Sequence, residues 1–96
     1  MMKNKYETVF VLSTKKFDDE ALTATTEKFK SLIEANEGSV ETVDVWGKRR
    51  LAYPINYETE GYYVLISFEA PATLPLELSR VYNITDGVLR SIVIRK

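Results

Sequence analysis

Hydrophobic and polar positions follow two different periods along the chain. Four stretches with a two-residue period predict strands, over residues 5–13, 39–55, 62–70 and 88–95. Two stretches with a spacing of three to four residues predict helices, over residues 19–36 and around the apolar stripe from Leu74 to Tyr82. The second strand changes parity, so we expect a bulge near Gly47, and Pro54 favours an edge position for it.

Residues typical of helix ends and turns separate these elements. Asp18 is the candidate N-cap of the first helix, and Gly38 offers it a left-handed stop. Thr73 is the candidate cap of the second helix, with Pro75 tolerated in the first turn. Residues 56–61 are polar and predict a turn between the second and third strands, and Asp86-Gly87 predicts another before the last strand.

The predicted order is strand, helix, strand, strand, helix, strand. Two right-handed strand-helix-strand units interleave into one four-stranded antiparallel sheet with both helices on one face. This α+β architecture is the ferredoxin-like βαββαβ sandwich, with strand order 4-1-3-2. We expect residues 1–96 to form a single domain, since 96 residues suit one core and no linker or internal repeat is present.

The sheet face turned away from the helices is predicted to be apolar. If Thr8, Phe10 and Leu12 face the helices, the opposite parity of that strand faces outward. Arg90 is a poor candidate for burial, so the inward positions of the last strand are Leu89, Ser91 and Val93. The outward positions on the three neighbouring strands are then Val9, Val11, Tyr63, Leu65, Arg90, Ile92 and Ile94. Such a patch predicts a face for a protein partner, unless these residues only satisfy strand propensity or the parity of the last strand is reversed.

The composition excludes several kinds of catalysis. The chain has no histidine and no cysteine, which removes imidazole and thiolate metal sites and the Ser-His and Cys-His triads. The acid pairs Asp18-Asp19 and Glu58 with Glu60 occur at a helix start and a turn, where acids are expected without chemistry. We therefore predict no enzyme activity, no catalytic or metal site, no cofactor and no small-molecule substrate.

A short basic run is the strongest candidate for RNA contact. Lys48, Arg49 and Arg50 are adjacent on a predicted edge strand, with Trp46 before them and Tyr53 after them. Cations interleaved with aromatic rings suit phosphate contacts with base or sugar packing. The alternative is a solvated edge that resists strand addition. The net charge of -1 requires any such RNA binding to be local.

A second basic cluster is predicted where the first and last strands meet. Antiparallel pairing brings Lys3 and Lys5 near Arg95 and Lys96. This cluster is a further candidate for RNA contact, and the alternative is solvated charge on flexible termini.

The outer face offers little for stacking RNA bases. RNA-recognition motifs share this architecture and stack bases on aromatic residues of the sheet. Tyr63 is the only aromatic residue among the outward positions of the third strand. We therefore expect the aliphatic face to bind protein rather than bare RNA.

No segment of the sequence predicts secretion or membrane insertion. The N-terminal residues lack an apolar stretch of signal-peptide length, and the longest apolar run covers only residues 62–66. We expect a soluble, cytoplasmic protein without a membrane partner.

Several longer runs carry a family resemblance. Residues 44–55, Asp-Val-Trp-Gly-Lys-Arg-Arg-Leu-Ala-Tyr-Pro-Ile, are the most specific, and residues 6–7, 61–64, 69–71 and 86–91 add to them in the same order. Together they make the chain resemble the bacterial small-subunit ribosomal protein S6 family over its whole length.

The resemblance implies a structural component of the small ribosomal subunit that binds small-subunit ribosomal RNA jointly with ribosomal protein S18. By position, Lys48, Arg49 and Arg50 would meet RNA, and S18 would cover the outward face. The alternative is a self-associating ferredoxin-like regulatory or small-ligand-binding module. An acylphosphatase-like hydrolase is a weaker rival, because the segment after the first strand lacks the glycines of a phosphate loop.

Overall fold

The computed structural model describes residues 3–55 and 58–96. The elements are β1 (Lys3–Ser13), α1 (Asp19–Ala35), β2 (Ser39–Ile55), β3 (Glu58–Pro71), α2 (Leu74–Ile84) and β4 (Val88–Arg95). All neighbouring strands are antiparallel in the order β2-β3-β1-β4, which is the predicted 4-1-3-2 read from the other edge. The ferredoxin-like prediction is confirmed, including the edge position of β2.

Strand β3 of the β2–β3 hairpin is longer than predicted. The polar turn was expected over residues 56–61, but Glu58–Gly61 is part of β3, and Arg50 lies opposite Glu60. Residues 56 and 57 lie outside the described residues. Backbone pairing with β2 holds residues 58–61 in the strand, although most of their side chains are polar.

The end of α1 corrects one prediction. Asp18 caps the helix as expected, accepting a hydrogen bond from the Ala21 backbone N–H at 2.7 Å. The left-handed residue after the helix is Glu37, with φ of 66°, and not Gly38. Gly38 is needed there for a different reason: its N–H donates to the Ile33 carbonyl at 2.8 Å, and a Cβ would lie 2.6 Å from that oxygen.

The segments flanking α2 agree with the sequence in position. Thr73 occupies the N-cap, but its side chain makes no capping hydrogen bond, and Pro75 lies in the first turn. Gly87 has φ of 98° in the turn before β4, so this turn uses the conformational freedom of glycine.

The core lies between the helices and one face of the sheet, as the parity of the strands predicts. Rings from three elements form its centre, with centroids of Phe10 and Phe29 5.0 Å apart and those of Phe29 and Tyr82 4.8 Å apart. The other fully buried apolar residues include Leu12, Leu22, Ile33, Val64, Ile66, Phe68 and Leu78. Because α1 and α2 contribute to one cluster, both helices cover the same face of the sheet.

One residue of β4 faces differently from the prediction. Val11 lies opposite Arg90, but Leu12 lies opposite Val88, so Leu89 is the extra residue of a bulge. Val88 therefore packs against the core where Leu89 was expected to. Beyond the bulge the predicted parity holds, with Val93 packed against the core and Ile92 and Ile94 exposed.

Candidate functional site

The sheet face away from the helices, here called the outer face, brings the predicted partner residues together in rows. One row consists of Ile92, Val9 and Leu65. The next row towards the β2–β3 hairpin consists of Arg90, Val11 and Tyr63. Ile94 lies beside the first row, opposite Glu7. All seven residues lie on the outer face, as their parity predicts, and all of them except Val11 contribute to its accessible surface.

Exposure is uneven across the outer face. Ile92 and Ile94 are 51% and 50% exposed, whereas Val9, Tyr63 and Leu65 are half-buried by their neighbours in the sheet. The most accessible apolar surface therefore lies on β4, at one edge of the sheet. Arg90 is exposed at the hairpin side of this apolar surface.

Val11 corrects the prediction that every outward residue is exposed, because only 2% of it is accessible. Gly61 lies diagonally across from it on β3 and has no side chain, and a Cβ at Gly61 would overlap Val11 Cγ1. Leu51 of β2 is also buried and its Cδ2 lies 3.3 Å from the same Cβ position. Val11, Gly61 and Leu51 thus form a small buried cluster on the outer face.

The basic run at residues 48–50 is divided between the two faces of the hairpin. Lys48 lies opposite Tyr62 and its Nζ is 3.1 Å from Asp19 Oδ1 at the start of α1. Arg49 faces the other way, opposite Gly61. Arg50 lies opposite Glu60. Successive strand residues alternate between faces, so this run does not form one basic patch.

Trp46 is the functional candidate whose environment the sequence reasoning missed. Its ring stacks on Tyr63 with centroids 6.2 Å apart and planes inclined by 18°. Its Nε1 donates to Asp44 Oδ2 at 3.0 Å, and Arg49 Nε donates to its carbonyl at 3.3 Å. The bulge predicted near Gly47 indicates an irregular strand at this point, but its register against Tyr63 is not contained in the sequence pattern.

The bulge in β2 is confirmed between Val45, which lies opposite Val64, and Gly47, which lies opposite Tyr63. Trp46 is the extra residue, and Gly47 has φ of 81°. Trp46 and Gly47 together oppose Tyr63, which puts the indole beside the phenol ring. Because of this bulge, the outer face has two aromatic rings where the sequence predicted one.

The second set of basic residues meets at the end of the sheet far from the hairpin, divided between the two faces. The Lys96 N–H donates to the Lys5 carbonyl at 2.9 Å, so these two residues are neighbours. Arg95 lies opposite Tyr6 and donates to Asn4 Oδ1 at 3.1 Å, which puts it on the other side of the strand. Lys3 and Lys5 are both exposed. The six residue-to-residue steps from Lys5 to Val11 span about 20 Å, so the clusters occupy opposite ends of the sheet.

Three of the acids singled out in the sequence have structural partners. Asp18 caps α1 and Asp19 pairs with Lys48. Glu58 is buried and accepts a hydrogen bond from the Ser13 hydroxyl at 2.5 Å, whereas Glu60 is exposed. Within residues 3–55 and 58–96, no three acidic, histidine or cysteine side chains are grouped as metal ligands. Neither helix in this part of the chain has the length and apolar character needed to cross a membrane.

Comparison with known proteins identifies the family to which this chain belongs. The family model described as "Ribosomal protein S6" matches residues 5–95. The chain belongs to the ribosomal protein S6 family. Its relatives include the "Small ribosomal subunit protein bS6" of Clostridium novyi (strain NT), 56% identical over 93 residues, which are 97% of this chain and 96% of the relative.

Further S6 proteins agree with this assignment. The bS6 protein of Clostridium beijerinckii is 51% identical over 92 residues, covering 96% of each chain. A crystal structure of the 30S ribosomal protein S6 from Thermotoga maritima superposes with a TM-score of 0.92 at 27% identity, covering 99% of this chain and 89% of that one. The predicted family and fold are confirmed.

S6 family membership also bears on the class of function. S6 proteins are structural ribosomal proteins and not enzymes, and the ribosome lies in the cytoplasm, which confirms the predicted location. The assignment does not favour the regulatory module or the hydrolase as an alternative.

Proposed function

We propose that this S6-family chain binds small-subunit ribosomal RNA jointly with ribosomal protein S18, as a single domain of residues 1–96. Family membership supports the ribosomal setting, and the S6 resemblance implies S18 as the partner. The observation that carries the proposal is the exposed apolar surface of β4 on the outer face, where Ile92 and Ile94 are half accessible. Ile92 and Ile94 adjoin the apolar residues Val9 and Leu65, and a contiguous exposed apolar patch usually marks an interaction site.

The proposed S18 surface is the row of Ile92, Val9 and Leu65, extended by Ile94. Residues that become fully buried at the centre of an interface contribute most of its affinity, while charged residues at its edge contribute less. Arg90 and Tyr63 border this row on the hairpin side and would form part of the edge. Val11 supports the surface from beneath, because it is buried already.

The proposed RNA contacts lie at both ends of the sheet. The hairpin end carries Trp46, Lys48, Arg49, Arg50 and Tyr53, and Tyr53 is 73% exposed. The other end carries Lys3, Lys5 and Arg95. Since the chain has a net charge of -1 and only a few cations at each end, we expect it to bind RNA weakly alone and tightly with S18.

Reconstitution with purified S18 and small-subunit ribosomal RNA tests this proposal. Ile92→Asp places a charge in the proposed interface, and we expect a loss of ternary-complex affinity of at least 10-fold in a gel-shift titration. Thermal unfolding of the variant should change little, because Ile92 is half exposed. Val93→Asp is the matched control on the same strand, and it should unfold the protein because Val93 packs against the core.

Ser31→Asp is a second control on the exposed surface of α1, where neither RNA nor S18 is proposed to bind. It should leave both stability and complex formation unchanged. Normal ternary-complex affinity for Ile92→Asp would refute the proposed S18 surface. Failure of the unaltered chain to form the complex at all would refute the proposed function.

A further inference from the structure

The outer face has an aromatic corner at its hairpin end, made of Trp46, Tyr63 and Arg49. Trp46 is 41% exposed, although its ring is stacked on Tyr63. Arg49 lies opposite Gly61, on the same face and two residues along β3 from Tyr63. The three side chains form an open, mainly apolar depression whose rim carries a guanidinium.

The orientation of the indole in this corner is fixed before anything binds. The hydrogen bond from Trp46 Nε1 to Asp44 Oδ2 satisfies the only polar atom of the indole. The parallel stack on Tyr63 restrains its plane. What remains accessible is flat apolar surface, and a partner that stacks on it would lose little entropy because the ring is held in place.

The positive charge around the aromatic corner favours some flat or apolar binding partners over others. Arg49 is held beside the rings by its hydrogen bond to the Trp46 carbonyl. Its guanidinium repels a lysine or arginine side chain, which would otherwise be attracted to an exposed indole. Arg90 lies in the same row as Tyr63, two strands away. A neutral ring joined to a negatively charged backbone is the ligand that fits this arrangement.

We propose that the aromatic corner binds one unpaired nucleobase of RNA, stacked on the exposed part of the Trp46 and Tyr63 pair, with Arg49 contacting an adjoining phosphate. The inference rests on the proposed function and adds to it that the RNA must present a base outside a duplex. Stacking on protein aromatic rings tolerates any base, since every base has a π-face. The corner would thus recognise an unpaired base without reading its sequence.

Trp46 makes this inference testable, because it is the only tryptophan of the chain and its fluorescence reports on the corner alone. The full chain is titrated at low salt with an oligoadenylate decamer, a ribose-phosphate decamer without bases, and a blunt RNA duplex. We expect the oligoadenylate to quench Trp46 fluorescence. The other two probes should leave the fluorescence unchanged, although they carry the same phosphates.

Variants separate stacking from charge, with affinity measured by the anisotropy of a fluorescein-labelled oligoadenylate decamer. Trp46→Leu keeps an apolar side chain but removes the ring, and should weaken binding about 5- to 100-fold. Trp46→Phe should restore most of the affinity. Thermal unfolding checks that both variants remain folded, and the decamer without bases should bind both variants and the unaltered chain equally.

Equal affinity of the unaltered chain for the decamers with and without bases would overturn the stacking site, and so would unchanged oligoadenylate binding by Trp46→Leu. Quenching of Trp46 by S18, with none by oligoadenylate, would identify the corner as a protein contact and also overturn it. Each result is independent of the gel-shift test, since that test follows Ile92 and the ternary complex. The stacking site can therefore fail while joint binding to ribosomal RNA and S18 stands, and the reverse is also possible.

Discussion

The buried hydroxyl groups of Tyr82 and Thr8 satisfy their hydrogen-bonding capacity within the core. Thr8 Oγ1 donates its single hydrogen to the Ile92 carbonyl at 3.0 Å, so the Tyr82 hydroxyl, also 3.0 Å away, must be the donor to Thr8. Side chains of α2 and β1 and the backbone of β4 are joined by these two bonds. Within residues 3–55 and 58–96, no buried side-chain nitrogen or oxygen lacks a partner.

Burial of Tyr82 makes the stability of the fold depend on alkaline pH. Desolvation by burial raises its pKa from 10.0 to about 12. Between these values the unfolded chain loses the phenol proton while the folded chain keeps it, so stability falls as pH rises. We expect Tyr82 to account for a loss of about 1 kcal/mol by pH 11 and about 2 kcal/mol by pH 12, measured by urea unfolding.

Tyr82→Phe isolates this effect from the titration of other groups. At pH 7 the variant should be less stable by about 1 to 3 kcal/mol, because Thr8 loses a buried hydrogen-bond partner. Its deficit relative to the unaltered chain should shrink above pH 10, since phenylalanine does not titrate. A deficit that stays constant from pH 7 to pH 12 would show that the Tyr82 pKa is not raised in the folded protein.

At the scale of elements, the contact between Gly61 and Val11 couples β1 to β3 on the outer face. Gly61 has no positive φ, so alanine fits its backbone and the obstacle is steric. The new methyl group would overlap Val11 Cγ1, and Gly61→Ala should cost about 1 to 3 kcal/mol of stability. Chemical denaturation of the single variant measures this cost.

The double variant Val11→Ala with Gly61→Ala provides the control. Removing the Val11 methyl groups makes room for the Gly61→Ala methyl, so this second substitution should cost much less in the Val11→Ala background than alone. The expected coupling is between contacting residues, for which energies of about 0.5 to 3 kcal/mol are usual. Additive costs would mean that Val11 is not what keeps position 61 as glycine.

The same contact explains which parts of the fold the sequence could predict. Period and parity within one strand assign faces correctly for β1, β3 and most of β4, because alternation depends only on the strand itself. The burial of Val11 depends on a missing side chain across the sheet, and the place of Val88 depends on a bulge in register with β1. The burial of Val11 and the position of Val88 both depend on how two strands pair, and the sequence pattern of one strand carries no information about pairing.

The candidate site was predictable to a similar degree. Every predicted RNA residue whose side chain is described lies on the surface, yet adjacency in sequence suggested a basic patch that strand alternation divides between two faces. The Trp46 and Tyr63 stack required two facts together: the bulge at Gly47 and the pairing of β2 with β3. The bulge was predicted, but its register against Tyr63 could not be.

At the scale of the whole molecule, the distribution of charge matters more than its sum. The 13 cations and 14 acids nearly cancel, so long-range attraction to RNA is weak. Cations are nevertheless concentrated at the two ends of the sheet, about 20 Å apart along β1. We therefore expect each end to make its own phosphate contacts, and the strength of each contact depends on which face its side chain occupies.

The division of the hairpin cations predicts unequal salt effects on RNA binding. Each phosphate contact contributes about 0.7 to 0.9 to the slope of log affinity against log salt. Arg49→Ala should flatten the slope by about one contact, because Arg49 lies beside the aromatic corner on the outer face. Lys48→Ala should change it less, because Lys48 lies on the helix side with its Nζ 3.1 Å from Asp19 Oδ1. Binding of a labelled RNA between 50 and 200 mM salt measures both slopes. Both substitutions remove one exposed positive charge, so a difference between their salt slopes reports on which face the side chain occupies and not on net charge. Equal slopes would show that RNA contacts both faces of the hairpin.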